Sequence, residues 1–163
     1  AWGVRLHPIP ERSKPMSTMM MQSKKAAASV RPFLSAIQWA IMLDLCEGEE
    51  GEFFQEKFVD LAQQIDTMPK TYDQEGRGDQ AIVHLHYFLG GSDWYITEKD
   101  RDGGVDQAFG YACLNGLEDF AEIGYISIAE ITQYGAELDL HWTPRSLADV
   151  KALLARRARS WAA

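Results

Sequence analysis

The residues best equipped for chemistry in this 163-residue chain are carboxylates and histidines in three groupings. The first is Glu98-Lys99-Asp100-Arg101-Asp102-Gly103, where oxygen ligands alternate along the chain and a glycine follows, as in the first half of an EF-hand loop around calcium. The second half is missing. Position twelve, which needs a bidentate carboxylate, is Phe109, and the flanks read as strands rather than helices. Lys99 and Arg101 also offset the charge, so Glu98, Asp100 and Asp102 read first as a solvated hairpin tip and second as a calcium site.

His84 and His86 stand two apart in a strand-like segment and so share a face, a spacing that chelates zinc if His141 or a carboxylate converges. The same alternation puts Val83, Leu85 and Tyr87 on the opposite face, so the plainer reading is a pair on the polar side of a sheet. The third grouping is Glu118, Glu122, Glu130, Glu137 and Asp139, whose carboxylates would serve a magnesium-dependent nuclease or a paired acid–base site if the fold gathered them. Against this, Ser127 and Glu130 have the spacing of a helix capping box, and Asp139 alternates with Leu138 and Leu140 as an outward strand residue does. Neither a Walker loop, a dinucleotide fingerprint nor a nucleophile elbow is present. No cofactor is expected.

Trp94, Tyr95 and Tyr125, with Trp142, offer rings for a protein partner or for stacking on bases, although at least half of them should be buried in the core. Charge bears on the choice of partner. The net charge of -8 divides into +5 over residues 1–43, -17 over 44–139 and +4 over 140–163. An acidic middle of this size repels phosphate backbones, because nucleic-acid affinity comes mainly from Lys and Arg displacing counterions. Only the basic ends, notably Arg156, Arg157 and Arg159, remain for nucleic acid, and these also complement a helix C-terminus. A protein partner is the stronger expectation.

Several elements must position these residues. With 46% hydrophobic, 25% charged and 11% aromatic residues, the chain suits one core in one domain. Cys46 and Cys113 are too few for a disulfide framework, so reduced thiols are expected. The most apolar stretch, Phe33 to Leu45, is shorter than a membrane span and is interrupted by Ser35, Gln38 and Asp44. It also fits neither a secretory nor a lipoprotein signal, so no membrane association and a cytoplasmic location are expected.

Residues 1–25 mix Pro8, Pro10 and Pro15 with no sustained period and read as an extended or mobile arm. Ser29 as N-cap, Pro32 in the first turn and a stripe of Phe33, Ile37, Ile41 and Leu45 predict a helix over 30–47. Phe54, Phe58, Leu61 and Ile65 predict a second, ending near Met68-Pro69 and forming a helical hairpin with the first. Strands are predicted over 81–89, 94–97, 108–114, 123–126 and 137–142, with turns at Gly90-Gly91-Ser92 and Asn115-Gly116. A short helix over 128–134 and a last helix capped by Ser146 complete the chain. The class is α+β: a helical hairpin, an antiparallel meander sheet, a short helix, a last strand and a C-terminal helix. Residues 26–163 form the single domain, with the hairpin in 26–66.

The runs Trp94-Tyr95-Ile96-Thr97-Glu98, Phe109-Gly110-Tyr111, Asn115-Gly116-Leu117-Glu118, Gly124-Tyr125-Ile126-Ser127-Ile128-Ala129-Glu130-Ile131 and Glu137-Leu138-Asp139-Leu140 with Pro144 keep a distinctive order and spacing. They resemble the domain of unknown function 2958 family, small proteins and fused modules of bacterial plasmids, phages and integrative elements. The resemblance covers residues 66–150. Met68-Pro69 and Tyr72 resemble the family's lead-in segment, and Leu138 stands where the family usually has arginine. What the resemblance implies is a mobile-element setting with counter-defence or plasmid maintenance as a role; it transfers no catalytic residue. The leading expectation is therefore a non-enzymatic accessory protein acting by protein contacts. The alternatives are a divalent-metal hydrolase or nuclease using Glu118, Glu122, Glu137 and Asp139, and nucleic-acid binding through the basic termini.

Overall fold

The computed structural model describes residues 18–163, and for Met19 its backbone alone. Three helices lead: α1 (Thr18–Val30), α2 (Ala36–Glu47) and α3 (Gly51–Thr67). The strands are β1 (Ile82–Val83), β2 (Leu85–Leu89), β3 (Ser92–Glu98), β4 (Ala108–Cys113), β5 (Glu122–Ile126), β6 (Glu137–Leu138) and β7 (Arg145–Ser146). Helix α4 (Ile128–Gln133) lies between β5 and β6, and α5 (Leu147–Ala162) follows β7.

The fold is α+β, with an antiparallel sheet in the order β5-β4-β3-β2-β6 and a separate β1-β7 pair. The sheet is a middle layer with an apolar core on each side. On one face Leu85, Tyr87, Ile96, Ala108 and Ile126 meet Val30, Met42, Phe58 and Leu61 of the helical layer. On the other, Val83, Tyr95, Tyr111 and Cys113 meet Leu147, Val150 and Leu154 of α5.

The arm expected over residues 1–25 runs into a helix at Thr18; its earlier part lies outside the described residues. Met, Gln, Lys and Ala are good helix formers. The buried face, Ser23, Ala26, Ala27 and Val30, is made of small side chains that allow close packing on α3. The expected start at Ser29 is also displaced. Arg31-Pro32-Phe33 forms a 3-10 turn, Leu34 is extended, and the N-cap is Ser35, whose Oγ accepts from Gln38 N–H at 3.1 Å.

Of the stripe expected to face the core, Phe33 is buried but lies in the turn before the helix, while the rest points outward: Ile37 is 70% exposed, Ile41 50% and Leu45 37%. The buried face is Gln38 and Met42, with Trp39 and Cys46 packed beside them. A helix apolar on nearly every side has no hydrophobic periodicity to set its rotation. The rotation is set by Gln38, whose amide donates to Leu138 C=O and accepts from Leu138 N–H, both at 2.8 Å. It completes the outer edge of β6.

Two strand predictions break up. The segment 81–89 divides at His84, with β1 pairing to β7 and β2 to β3. The segment 137–142 holds a ladder only through Leu138, after which Asp139 Oδ1 accepts from His141 N–H at 2.9 Å and turns the chain. The Asn115-Gly116 turn has positive φ at both residues, 55° and 70°, yet it opens an eight-residue connection, 114–121, rather than a two-residue hairpin. The two serine caps hold as expected: Ser127 Oγ accepts from Glu130 N–H at 3.1 Å and Ser146 Oγ from Asp149 N–H at 3.2 Å.

Candidate functional site

The two-residue turn Gly90-Gly91 sets Leu89 opposite Ser92, and therefore His86 opposite Tyr95 and Phe88 opposite Asp93. That register places His86, Asp93 and Tyr95 on the α5 face. The His86 ring stacks on Tyr95 at 4.7 Å and lies 5.0 Å from Trp142. Its Nε2 meets Asp93 Oδ1 at 2.8 Å and its Nδ1 meets Asp139 Oδ2 at 3.0 Å. Arg157 donates to the other Asp93 oxygen at 3.2 Å.

Each ring nitrogen of His86 thus faces a carboxyl oxygen, and the contacts run in a chain from Asp139 through His86 and Asp93 to Arg157. Both ring nitrogens are engaged inside the protein. The arrangement is a clamp joining β2, β3, the turn after β6 and α5. The nearby Cys113 thiol is pushed up in pKa by burial and then by Asp93, which keeps it from thiolate chemistry. The Tyr95 hydroxyl, raised by burial and then by Asp93, is the one buried side-chain polar atom without a partner among the described residues.

The metal and acid–base groupings are placed apart. His84 sits in the break between β1 and β2; its N–H donates to Ile96 C=O and its own carbonyl accepts from the Gln64 amide. The expected alternation of Val83, Leu85 and Tyr87 fails at that break, because Val83 belongs to the second core. Asp100 closes its own loop, accepting from Asp102 N–H at 3.0 Å and Gln107 N–H at 3.2 Å. Among the described residues no group of three or more His, Cys, Asp and Glu is placed to hold a metal ion.

Glu122 and Glu137 occupy opposite edge strands of the sheet. At about 4.8 Å per strand step they lie roughly 19 Å apart. Glu118 lies in the connection before β5, Glu130 follows the Ser127 cap on α4, and Asp139 is engaged with His86. Of the aromatic candidates, Tyr95 is buried, Trp94 packs against the first core and Tyr125 is 58% exposed. Arg157 is held by Asp93, while Arg156 and Arg159 are exposed.

A pocket of about 240 Å³ opens on the α5 face near β5. Its walls include Tyr72, Gln74, Thr97, Glu98, Phe109 and Ile123. Glu98 reaches it through a β-bulge: Ile96 pairs with Gly110 while Glu98 pairs with Phe109, so Thr97 is the extra residue. Strict alternation would aim Glu98 with Ile96 into the helical core, and the bulge turns it to the other face. At the bulge the strands approach so closely that a Cβ on Gly110 would sit 2.0 Å from the Tyr95 carbonyl oxygen.

Gln74 frames the pocket with every polar group used. Its N–H donates to Glu98 Oε1 at 2.8 Å, its amide donates to Ile82 and Thr97 carbonyls, and its Oε1 accepts from Ile82 N–H. Tyr72 has a φ of 81°, a conformation costing a non-glycine residue about 1–3 kcal/mol. Its hydroxyl lies 2.6 Å from that of Tyr125, whose ring packs edge-on against Phe109. The hydrogen bond to Tyr72 raises the Tyr125 pKa. The sequence reading missed both the His86 clamp and this pocket. The Gly90-Gly91 turn carries the signal for the first, while the bulge behind the second has no local signature.

The fold and these sites define an α+β protein whose sheet lies between a three-helix layer and a single helix. Comparison with family models, curated proteins and solved structures yields no match, so the family resemblance stands on its quoted motifs. No described helix is long and apolar enough to cross a membrane.

Proposed function

We propose that this chain is a non-enzymatic, cytoplasmic accessory protein of a bacterial mobile element that works by binding another protein, with counter-defence or plasmid maintenance as its role. The mobile-element setting comes from the resemblance alone. The binding reading is carried by one observation: edge strand β5 and the turn before it present Ile123 (54% exposed), Tyr125 (58%), Leu117 (53%) and Phe120 (78%) to solvent. An edge strand with unpaired backbone groups and large apolar side chains is the kind of surface that monomers cover or blunt and that partners use.

The test compares proteins retained from a bacterial lysate by the native chain and by the Ile123→Asp/Tyr125→Asp variant. Specific partners should bind the native chain, weaken as salt rises because the surrounding charges are screened, and be lost from the variant. Identical sets on both, or none on either, would refute the reading.

A further inference from the structure

Glu98 is 4% exposed and lines the pocket, and its carboxyl group has one hydrogen bond among the described residues, from Gln74 N–H. An ionised carboxylate offers about four acceptor sites and is costly to bury without a counter-charge. Among the described residues none is supplied: no Lys or Arg lines the pocket, and the adjacent Lys99 turns away to the Ile65 and Asp66 carbonyls at 2.7 and 2.8 Å. The cavity therefore offers a carboxyl group with open acceptor positions, and a cationic donor entering from outside would complete them.

Its shape narrows the choice. A volume of about 240 Å³ falls below the ~300–1,000 Å³ of pockets for drug-sized ligands and suits one long side chain. Phe109 and Tyr72 put aromatic rings in its wall, the residue type that attracts a cation. Outside the mouth, Tyr72, Ile123 and Tyr125 are each more than half exposed, a shelf that a free amine would leave wet and a polypeptide would cover.

We propose that the Glu98 pocket receives an Arg or Lys side chain of a partner protein, whose flanking residues lie on the Tyr72, Ile123 and Tyr125 shelf. This rests on the protein-binding reading and gives that partner its chemistry: a basic residue flanked by apolar ones. The bulge at Thr97 and the Gln74 hydrogen bonds hold the carboxylate in place before binding, so little ordering is required.

The experiment titrates the 15N-labelled full chain with the capped pentapeptide Thr-Val-Arg-Val-Thr, its norleucine-centred counterpart and N-acetylarginine amide. The arginine peptide should shift the amides of Gln74, Glu98 and Ile123. Both other probes should bind at least tenfold more weakly, and Glu98→Gln should weaken the arginine peptide at least tenfold. No shift at those amides, equal binding of the norleucine peptide, or full binding by Glu98→Gln would overturn the proposal. N-acetylarginine amide binding as well as the peptide would overturn its polypeptide part.

If Glu98→Gln fails to fold, Ile123→Lys at the exposed mouth replaces it; its own ammonium should exclude the peptide, and unchanged binding would again overturn the proposal. Lysate partners that depend on Ile123 and Tyr125 but are not displaced by the arginine peptide would sink this inference while leaving the binding reading intact. A lysate with no such partners would sink that reading whatever the peptide does.

Discussion

Replacing Asp93 with Ala tests whether the His86 clamp holds the α5 layer to the sheet. The His86–Asp93 hydrogen bond is nearly dry, its side chains 10% and 8% exposed, and removing the carboxyl group leaves a buried ring nitrogen unpaired, a loss of up to about 3 kcal/mol. Asp139 keeps its contact with the other ring nitrogen and holds the ring in place, so the loss from this bond stays near ~2–3 kcal/mol. Arg157 is 50% exposed and returns to water when its partner goes, adding at most about 1 kcal/mol. The expected loss is thus about 2–4 kcal/mol, or a melting temperature lower by roughly 10 °C at about 2–4 °C per kcal/mol for a chain of this size. Urea unfolding of the native chain, Asp93→Ala and Arg157→Ala measures it. Arg157→Ala should cost less than about 1 kcal/mol. An Asp93→Ala loss below about 1 kcal/mol, or an equal loss in the two variants, would refute the assignment of the stability to the histidine pair.

Gln38→Leu removes both hydrogen bonds to the Leu138 backbone and leaves a buried N–H and C=O unpaired, an expected loss of about 2–4 kcal/mol by denaturant unfolding despite the gain in hydrophobicity. Gly110→Ala places a methyl against the Tyr95 carbonyl, so melting should show a loss of at least about 2 kcal/mol and β3–β4 amides should exchange faster. Tyr95→Phe deletes the unpartnered buried hydroxyl and should leave stability unchanged or raise it by up to about 1 kcal/mol in the same assay. Burial lowers the His84 pKa from 6.5, so the unfolded chain binds the extra proton. The His84 contribution is complete above that unfolded value and is lost as pH falls through the lower folded one. Melting temperatures from pH 7.5 to 5 should therefore fall less steeply for His84→Gln than for the native chain, and parallel curves would count against it.

Elements whose instructions lie within a few residues were legible in the chain itself. The α3 stripe ends at Met68-Pro69 as spaced, Ser127 and Ser146 cap the helices they precede, and Gly90-Gly91 closes the β2–β3 hairpin. Period, cap and turn chemistry are local physics, so the α+β class followed from them. The arrangement of charge by segment was equally a property of sequence alone.

Tertiary structure decided what depends on pairing across long separations. The rotation of α2 was settled by Gln38 meeting Leu138, a hundred residues away, because an all-round apolar helix has no preferred face of its own. Strand order placed Glu122 and Glu137 at opposite edges, a separation that spacing along the chain cannot reveal. One extra residue at Thr97 carried Glu98 across the sheet, since side-chain direction has a period of two and a single insertion inverts it.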